Sequence, residues 1–158
     1  RWIGTQPLSH SQLQARPNLR PILIRQGLLG ASRNLLVSPQ HSMLLGPDTL
    51  VRAKHLVDVP KSGIRIAHGK KSITYIHLMF DAHQIIFAEG TASESFYPGP
   101  MAINGLTFSA KAKLRLLFPD VFCADDLSGH VEQDYGATAR PILRKSALPT
   151  QAQIHRFF

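Results

Sequence analysis

Frequent turn-forming residues confine this chain to short secondary-structure elements. Its 158 residues include eleven glycines and eleven prolines, spread along the whole length. Proline fixes its own φ and lacks a backbone donor, while glycine is conformationally free, so both interrupt regular structure. Between them lie apolar runs of only a few residues, several of them β-branched or alternating with polar residues. With 44% apolar residues, the chain is predicted to be a compact, mostly β globular protein.

The clearest strand signal is an alternating pattern in residues 72–80. Because successive side chains of a strand point to opposite faces, Tyr75, His77 and Met79 are expected to share one face. The polar segment 68–71 before it is predicted to be a hairpin tip. Shorter strands are predicted at residues 1–6, 21–25, 34–37, 43–45, 49–51, 64–66 and 83–90.

Helix signals are few. Residues 109–118 form the best candidate helix, with Ser109 as the predicted N-cap and Pro119 as its stop. One further helical turn is predicted at residues 53–57. The remaining segments are predicted to be irregular, namely residues 7–17, residues 91–100 and a loop-rich tail from residue 123 with one short extended piece at residues 140–143.

The positive charge is not arranged as in a typical nucleic-acid interface. The net charge is +8, and residues 1–47 contain five arginines and no acid. The basic residues are not interleaved with aromatic residues that could stack on bases. We therefore expect a solvated basic surface, and nucleic acid is disfavoured as a partner.

Cysteine and histidine usage gives no sign of a metal site or cofactor. The single cysteine, Cys123, excludes an internal disulfide and a cysteine-based zinc site. Its acidic neighbours Asp120 and Asp125 would disfavour a thiolate, so a small buried or inert residue is expected. The histidines lack the spacing of metal ligands.

Targeting signals are not apparent in the sequence. No apolar run is long enough to cross a bilayer, and residues 1–5 lack the apolar core and cleavage pattern of a signal peptide. The chain has no initiator methionine. We therefore expect it to begin inside a longer protein.

One bend places a hydroxyl and an imidazole close together in sequence. Ser38, Pro39, Gln40 and His41 lie between two apolar runs. Pro39 pushes Ser38 towards an extended conformation, so a rigid bend between two strands would present Ser38 and His41 together. On its own, the motif has a simple structural explanation in which Ser38 satisfies the bend.

Two stretches together resemble the Hint fold, which inteins and hedgehog autoprocessing domains share. Residues 36–41 resemble its Thr-x-x-His motif, with serine replacing threonine, and residues 75–90 resemble the strand pair that closes the fold. The runs at residues 53–57 and 93–99 are similar to runs in a bacterial Hint subfamily. The resemblance implies a Hint-like β-domain at residues 1–100, incomplete at its N-terminus. A C-terminal extension at residues 101–158 would carry the short helix.

The resemblance implies autocatalysis on the protein's own backbone. In the family, a cysteine or serine at the start of the domain attacks the preceding carbonyl. His41 matches the histidine that protonates the scissile nitrogen, and Ser38 matches the hydroxyl that hydrogen-bonds the strained amide or the developing oxyanion. Asp81 and His83 lie where the family places an assisting acid or base. Which of the two matches stays open, and His83 could equally serve in packing.

Departures from the family pattern limit the expected activity. The segment with the first nucleophile should lie upstream of Arg1, and no His-Asn pair is present for C-terminal release. The chain is therefore expected to be part of a self-cleaving Hint domain that acts on its own upstream segment and is inactive alone. The alternative is a degenerate Hint-like module with a structural or protein-interaction role. Family analogy suggests a secreted or cell-surface bacterial protein.

Overall fold

The fold is built mainly from short strands, which confirms the predicted mostly β architecture. The computed structural model describes residues 1–122 and 131–148. Within these ranges the strands are β1 (Trp2–Leu8), β2 (Ile22–Ile24), β3 (Leu35–Val37), β4 (Ser42–Leu45), β5 (Thr49–Arg52), β6 (Arg65–Ile66), β7 (Ile73–Met79), β8 (Ile85–Ala88), β9 (Thr91–Glu94) and β10 (Ile142–Leu143). The α-helices are α1 (His10–Ala15), α2 (Ala53–Leu56), α3 (Pro100–Asn104), α4 (Phe108–Leu117), α5 (Pro119–Phe122) and α6 (Val131–Tyr135).

The strands of the described residues form three sheets. One sheet pairs β1 with β7, and a second has the order β3-β2-β6. The third has the order β10-β5-β4-β9-β8. Its pairs are antiparallel except for β10 and β5, which run parallel with Ile142 opposite Leu50.

The chain divides into two compact units, each made of separated segments. Unit 1 contains Arg1–Gln6, Thr74–Gln84 and Ser95–Ala139, and unit 2 contains Pro7–Ile73, Ile85–Glu94 and Arg140–Phe158. The division at residue 100 that follows from the family resemblance stays a prediction.

Each unit has its own hydrophobic core. In unit 2, alternation turns Ile22 and Ile24 of β2 inward, where they pack with Met43, Val51 and Leu56. In unit 1, the core includes Trp2, Met79, Phe96, Leu114 and Phe122. Burying one such aliphatic or aromatic side chain contributes about 1.5–3 kcal/mol, so these clusters are the main source of stability.

Two segments predicted to be irregular are regular. Residues 7–17 include α1, which begins with a capping box: Ser9 Oγ accepts from the Gln12 N–H, and Gln12 Oε1 accepts from the Ser9 N–H. Only Leu13 of this helix is buried, so the sequence has no apolar periodicity from which the helix could be predicted. Residues 91–100 include β9, whose sequence Thr-Ala-Ser-Glu has no apolar alternation and whose structure comes from pairing with β8 and β4.

Other local predictions were wrong in detail. The predicted helix 109–118 is α4, but its N-cap is Thr107 and not Ser109, since Thr107 Oγ1 accepts from the Ala110 N–H. The hairpin predicted at residues 68–71 does not form, because β6 pairs with β2 and β7 pairs with β1. Cys123, predicted to be buried or inert, lies outside the described residues.

Candidate functional site

The bend between β3 and β4 brings Ser38 and His41 together in unit 2. The His41 N–H donates to the Ser38 carbonyl at 3.1 Å and to Ser38 Oγ at 3.2 Å. Both residues are half-buried. Ser38 therefore satisfies the bend, as the structural explanation requires, and the same contact fixes its hydroxyl beside the His41 backbone.

The start of α2 holds this bend from the other side. The Ala53 N–H donates to the His41 carbonyl at 2.9 Å, and the Lys54 N–H donates to the Pro39 carbonyl at 3.0 Å. The first N–H groups of a helix have no partner within the helix, so the bend supplies the acceptors that α2 lacks. The backbone on both sides of His41 is thereby fixed.

A buried carboxyl group lies directly beside this bend. Glu94, the last residue of β9, is 9% exposed, and its Oε1 accepts from the Ser42 N–H at 2.8 Å. The pairing of Met43 with Ser93 in the neighbouring strands β4 and β9 brings the two residues together. Burial raises the pKa of the Glu94 carboxyl, whereas hydrogen bonding to Ser42 and the charge of Arg52 oppose this shift.

Sequence reasoning missed Glu94. The residue lies in the run 93–99, which resembles the family as a block, but no spacing rule links it to the bend 52 residues earlier. The available signal was an acid between Ser93 and Ser95 in an otherwise uncharged run. Only the pairing of β4 with β9 shows that Glu94 lies beside the bend at Ser38 and His41.

The other two predicted site residues, Asp81 and His83, belong to unit 1. His83 is buried, and its Nδ1 accepts from the Ala139 N–H at 2.8 Å. The ring proton must then be on Nε2, which donates to the Ser95 carbonyl at 3.1 Å. Burial lowers the pKa of His83, and the bond to Ser95 works against this shift. Both ring nitrogens are therefore bound to the backbone.

Asp81 has a different environment. It lies in the connection after β7, it is exposed, and it makes no hydrogen bond or ion pair with another of the residues that the structure describes. The structure thus brings Ser38 and His41 together in one unit and places Asp81 and His83 in the other. His77, predicted to be a half-buried strand residue, is half-buried in β7 with its ring 5.1 Å from that of Phe96.

Residues 1–122 and 131–148 contain neither a metal-ligand cluster nor a membrane-spanning helix. No group of three or more His, Cys, Asp or Glu side chains there could hold a metal ion. In the same ranges, every helix is too short or too polar to span a bilayer.

The part of the chain that contains strands β1 to β9 matches a known protein family. A family model described as Hint domain matches residues 1–100 of the chain. The chain belongs to the Hint domain family. The match confirms the family and, with the strands described above, the mostly β Hint-like fold. The two strands within residues 75–90 do not pair with each other, because β7 pairs with β1 and β8 pairs with β9. No curated protein and no solved structure matches this Hint domain chain. Its bacterial origin and its missing upstream segment stay predictions.

Proposed function

We propose that this Hint domain takes part in self-cleavage of its parent protein, with His41 as the general acid and Ser38 as its hydroxyl partner. The observation that carries the proposal is the fixed backbone of His41. Its N–H is held by Ser38, and its carbonyl is held by the Ala53 N–H. A general acid must be positioned before it can protonate a poor leaving group such as an amide nitrogen.

The proposed reaction is an acyl shift at the nucleophile that the family resemblance places in an upstream segment of the domain. A cysteine or serine there attacks the preceding carbonyl carbon, so a C–S or C–O bond forms and the C–N bond breaks. The nucleophile gives up its proton to solvent, and the departing nitrogen takes a proton from the His41 imidazole. Water or a second nucleophile then cleaves the resulting thioester or ester. Imidazole suits this role because it exchanges protons near neutral pH.

Ser38 can assist without giving up its structural contact. Its oxygen accepts from the His41 N–H, which uses one lone pair and leaves the hydroxyl proton for donation. A donor aimed at the scissile carbonyl oxygen would stabilise the charge that develops there. We assign this role to Ser38 as part of the same proposal.

Asp81 and His83 receive different proposed roles. The two backbone bonds of His83 favour the packing alternative, because a ring that exchanges protons would have to give up one of them. We propose that His83 holds the segments around Ser95 and Ala139 in unit 1. Asp81 is exposed and is kept as the candidate assisting acid.

The deciding experiment uses the full parent protein with an affinity tag upstream of the domain. Release of the tagged fragment is followed by gel electrophoresis and intact mass. His41→Ala should slow release by about 10²–10⁴-fold, the usual contribution of a general acid. The matched control is His10→Ala, which removes an exposed histidine of α1 and should cleave at the wild-type rate.

Two further results would bear on the chemistry. Hydroxylamine should accelerate release in the wild type by intercepting the thioester or ester. A parent that stays intact in every sample would instead support the alternative function, a Hint-like structural or interaction module without activity.

A further inference from the structure

We propose that Glu94 is the positioning residue for His41, acting through the peptide bond that follows the histidine. The inference rests on the proposed function of His41. It starts from a contact that no sequence pattern suggested, the 2.8 Å hydrogen bond from the Ser42 N–H to Glu94 Oε1. Both partners are buried, with Ser42 1% and Glu94 9% exposed.

The two polar groups of one peptide unit are held by different elements. The peptide between His41 and Ser42 has its N–H bound by Glu94 at the end of β9, and its carbonyl bound by the Ala53 N–H at the start of α2. A peptide is planar, so holding both ends fixes the orientation of the plane. Together with the bond from the His41 N–H to Ser38, this fixes φ and ψ of His41.

Those two dihedral angles set the direction in which the imidazole leaves the backbone. Side chains occupy a small set of rotamers relative to the backbone, so a fixed peptide plane limits where the imidazole can be presented. Loss of the Glu94 contact would free one end of the plane. Misplacing a catalytic group by about 1 Å can slow a reaction about 10²-fold, which is the scale of effect that we expect.

Burying a carboxyl group so that it accepts one N–H hydrogen bond costs free energy. An ionised carboxylate removed from water is destabilising unless it is paired and hydrogen-bonded. Arg52 is the cross-strand partner of Ser42, and its charge acts on Glu94. This setting favours a role for Glu94 in holding the peptide bond after His41 over a role in stability, and that role needs an acceptor oxygen but no charge.

The test compares three substitutions in the tagged parent protein. Glu94→Ala should slow release by about 10²-fold, whereas Glu94→Gln should stay close to wild type because its amide oxygen can accept the same N–H. Glu132→Ala removes an exposed acid of unit 1 and should have no effect. Wild-type cleavage by a folded Glu94→Ala protein would overturn the inference. So would a folded Glu94→Gln protein as slow as Glu94→Ala, since the carboxylate charge itself would then be required.

A second measurement needs no cleavage and separates this inference from the proposed function. Hydrogen exchange of the Ser42 amide in the chain itself should be slow in wild type, faster in Glu94→Ala and slow again in Glu94→Gln. The imidazole NMR signals of His41 should form one sharp set in wild type and Glu94→Gln, and become broad or doubled in Glu94→Ala. If the parent does not cleave but these patterns hold, the proposed function fails and the positioning contact stands. Unchanged exchange and His41 signals in Glu94→Ala would overturn the positioning role.

Discussion

The main-chain N–H of Ala139 donates to Nδ1 of His83 at 2.8 Å, joining residues 56 positions apart. The opposite ring nitrogen, Nε2, donates to the Ser95 carbonyl. A doubly protonated ring cannot accept at Nδ1, so this arrangement requires neutral His83. Unit 1 therefore contains a backbone link that depends on the protonation state of one side chain.

We predict that His83 makes the protein less stable in acid. Burial lowers the pKa of the folded-state ring below the ordinary value of 6.5. The unfolded chain then binds the proton first as the pH falls, so stability is lost on acidification through about pH 6.5. The free energy of unfolding, measured in urea from about pH 8 to about pH 5, should fall less steeply for His83→Ala than for wild type.

The same variant should also be less stable near neutral pH, by about 1–3 kcal/mol, because it loses the two hydrogen bonds that the His83 ring makes with the backbone. Some pH dependence should persist in it, since burial also lowers the pKa of His55 and of His77. His68→Ala is the control, because His68 is exposed. Equal slopes for wild type and His83→Ala would contradict the prediction.

Substitutions of Ser38 should separate the role of its hydroxyl in the bend from its proposed role in cleavage. Ser38→Ala removes the side-chain acceptor for the His41 N–H but leaves the Ser38 carbonyl bond at 3.1 Å, so the loss of stability should be about 0.5–1.5 kcal/mol. If the hydroxyl donates to the developing oxyanion, cleavage of the tagged parent should slow by about 10²–10³-fold. Ser38→Thr keeps the hydroxyl, and threonine suits the extended backbone that a residue before proline prefers.

The decisive comparison is therefore between the alanine and threonine variants. Threonine should restore most of the cleavage rate that alanine loses. Wild-type cleavage by Ser38→Ala would show that the hydroxyl serves only the bend.

Replacing Glu94 by glutamine should change how stability depends on pH. Burial raises the folded-state pKa of this carboxyl above its ordinary value of 4.5, against the effects of Ser42 and Arg52. The folded state thus keeps its proton at a pH where the unfolded chain has lost it, and wild-type stability falls as the pH rises above about 4.5. Glu94→Gln cannot ionise, so its stability relative to wild type should increase over the same range.

Chemical unfolding of both proteins across this range checks the prediction. The difference in unfolding free energy should grow with pH and then become constant above the folded-state pKa. A difference that does not vary with pH would mean that Glu94 titrates alike in the folded and unfolded chains.

The turn between β8 and β9 should not tolerate a side chain at Gly90. Glu89 and Gly90 have φ values of 51° and 82°, as in a type I′ hairpin turn. A Cβ on Gly90 would lie 2.7 Å from the Gly30 carbonyl oxygen. Gly90→Ala should therefore lower the free energy of unfolding, measured in urea, by about 1–3 kcal/mol.

Gly69→Ala provides the matched control for this change. A Cβ there meets no atom within 4 Å, and the stability should stay within about 0.5 kcal/mol of wild type. If the two alanine variants were equally stable, the strain assigned to the turn at Gly90 would be absent.

The extent to which the sequence predicts this fold depends on how local each signal is. β2 and β7 were predictable because their β-branched or alternating residues mark strands by themselves. β9 was not, since a strand of Thr, Ala, Ser and Glu depends on partners supplied by β8 and β4. The same holds for pairing, because the choice of β2 as the partner of β6 follows from packing between distant segments.

The candidate site divides in the same way. Ser38 and His41 could be predicted from the sequence because they are only three positions apart and Pro39 restricts the bend between them. Glu94 was missed because its contact with Ser42 spans 52 residues and exists only when β9 is in register with β4. For His83, the sequence left two roles open, and the Ala139 N–H that favours packing comes from a distant loop.

The parallel pairing of β10 with β5 has a consequence for how the protein is made. The Leu50 N–H donates to the Pro141 carbonyl, and Ile142 and Leu143 lie opposite Leu50 and Val51. During synthesis, β5 therefore leaves the ribosome long before the strand that completes its outer edge. An unpaired edge is a template for association with other chains, and pairing across such a separation is slow. The nascent chain should thus be most prone to aggregation in the interval before residue 143 emerges.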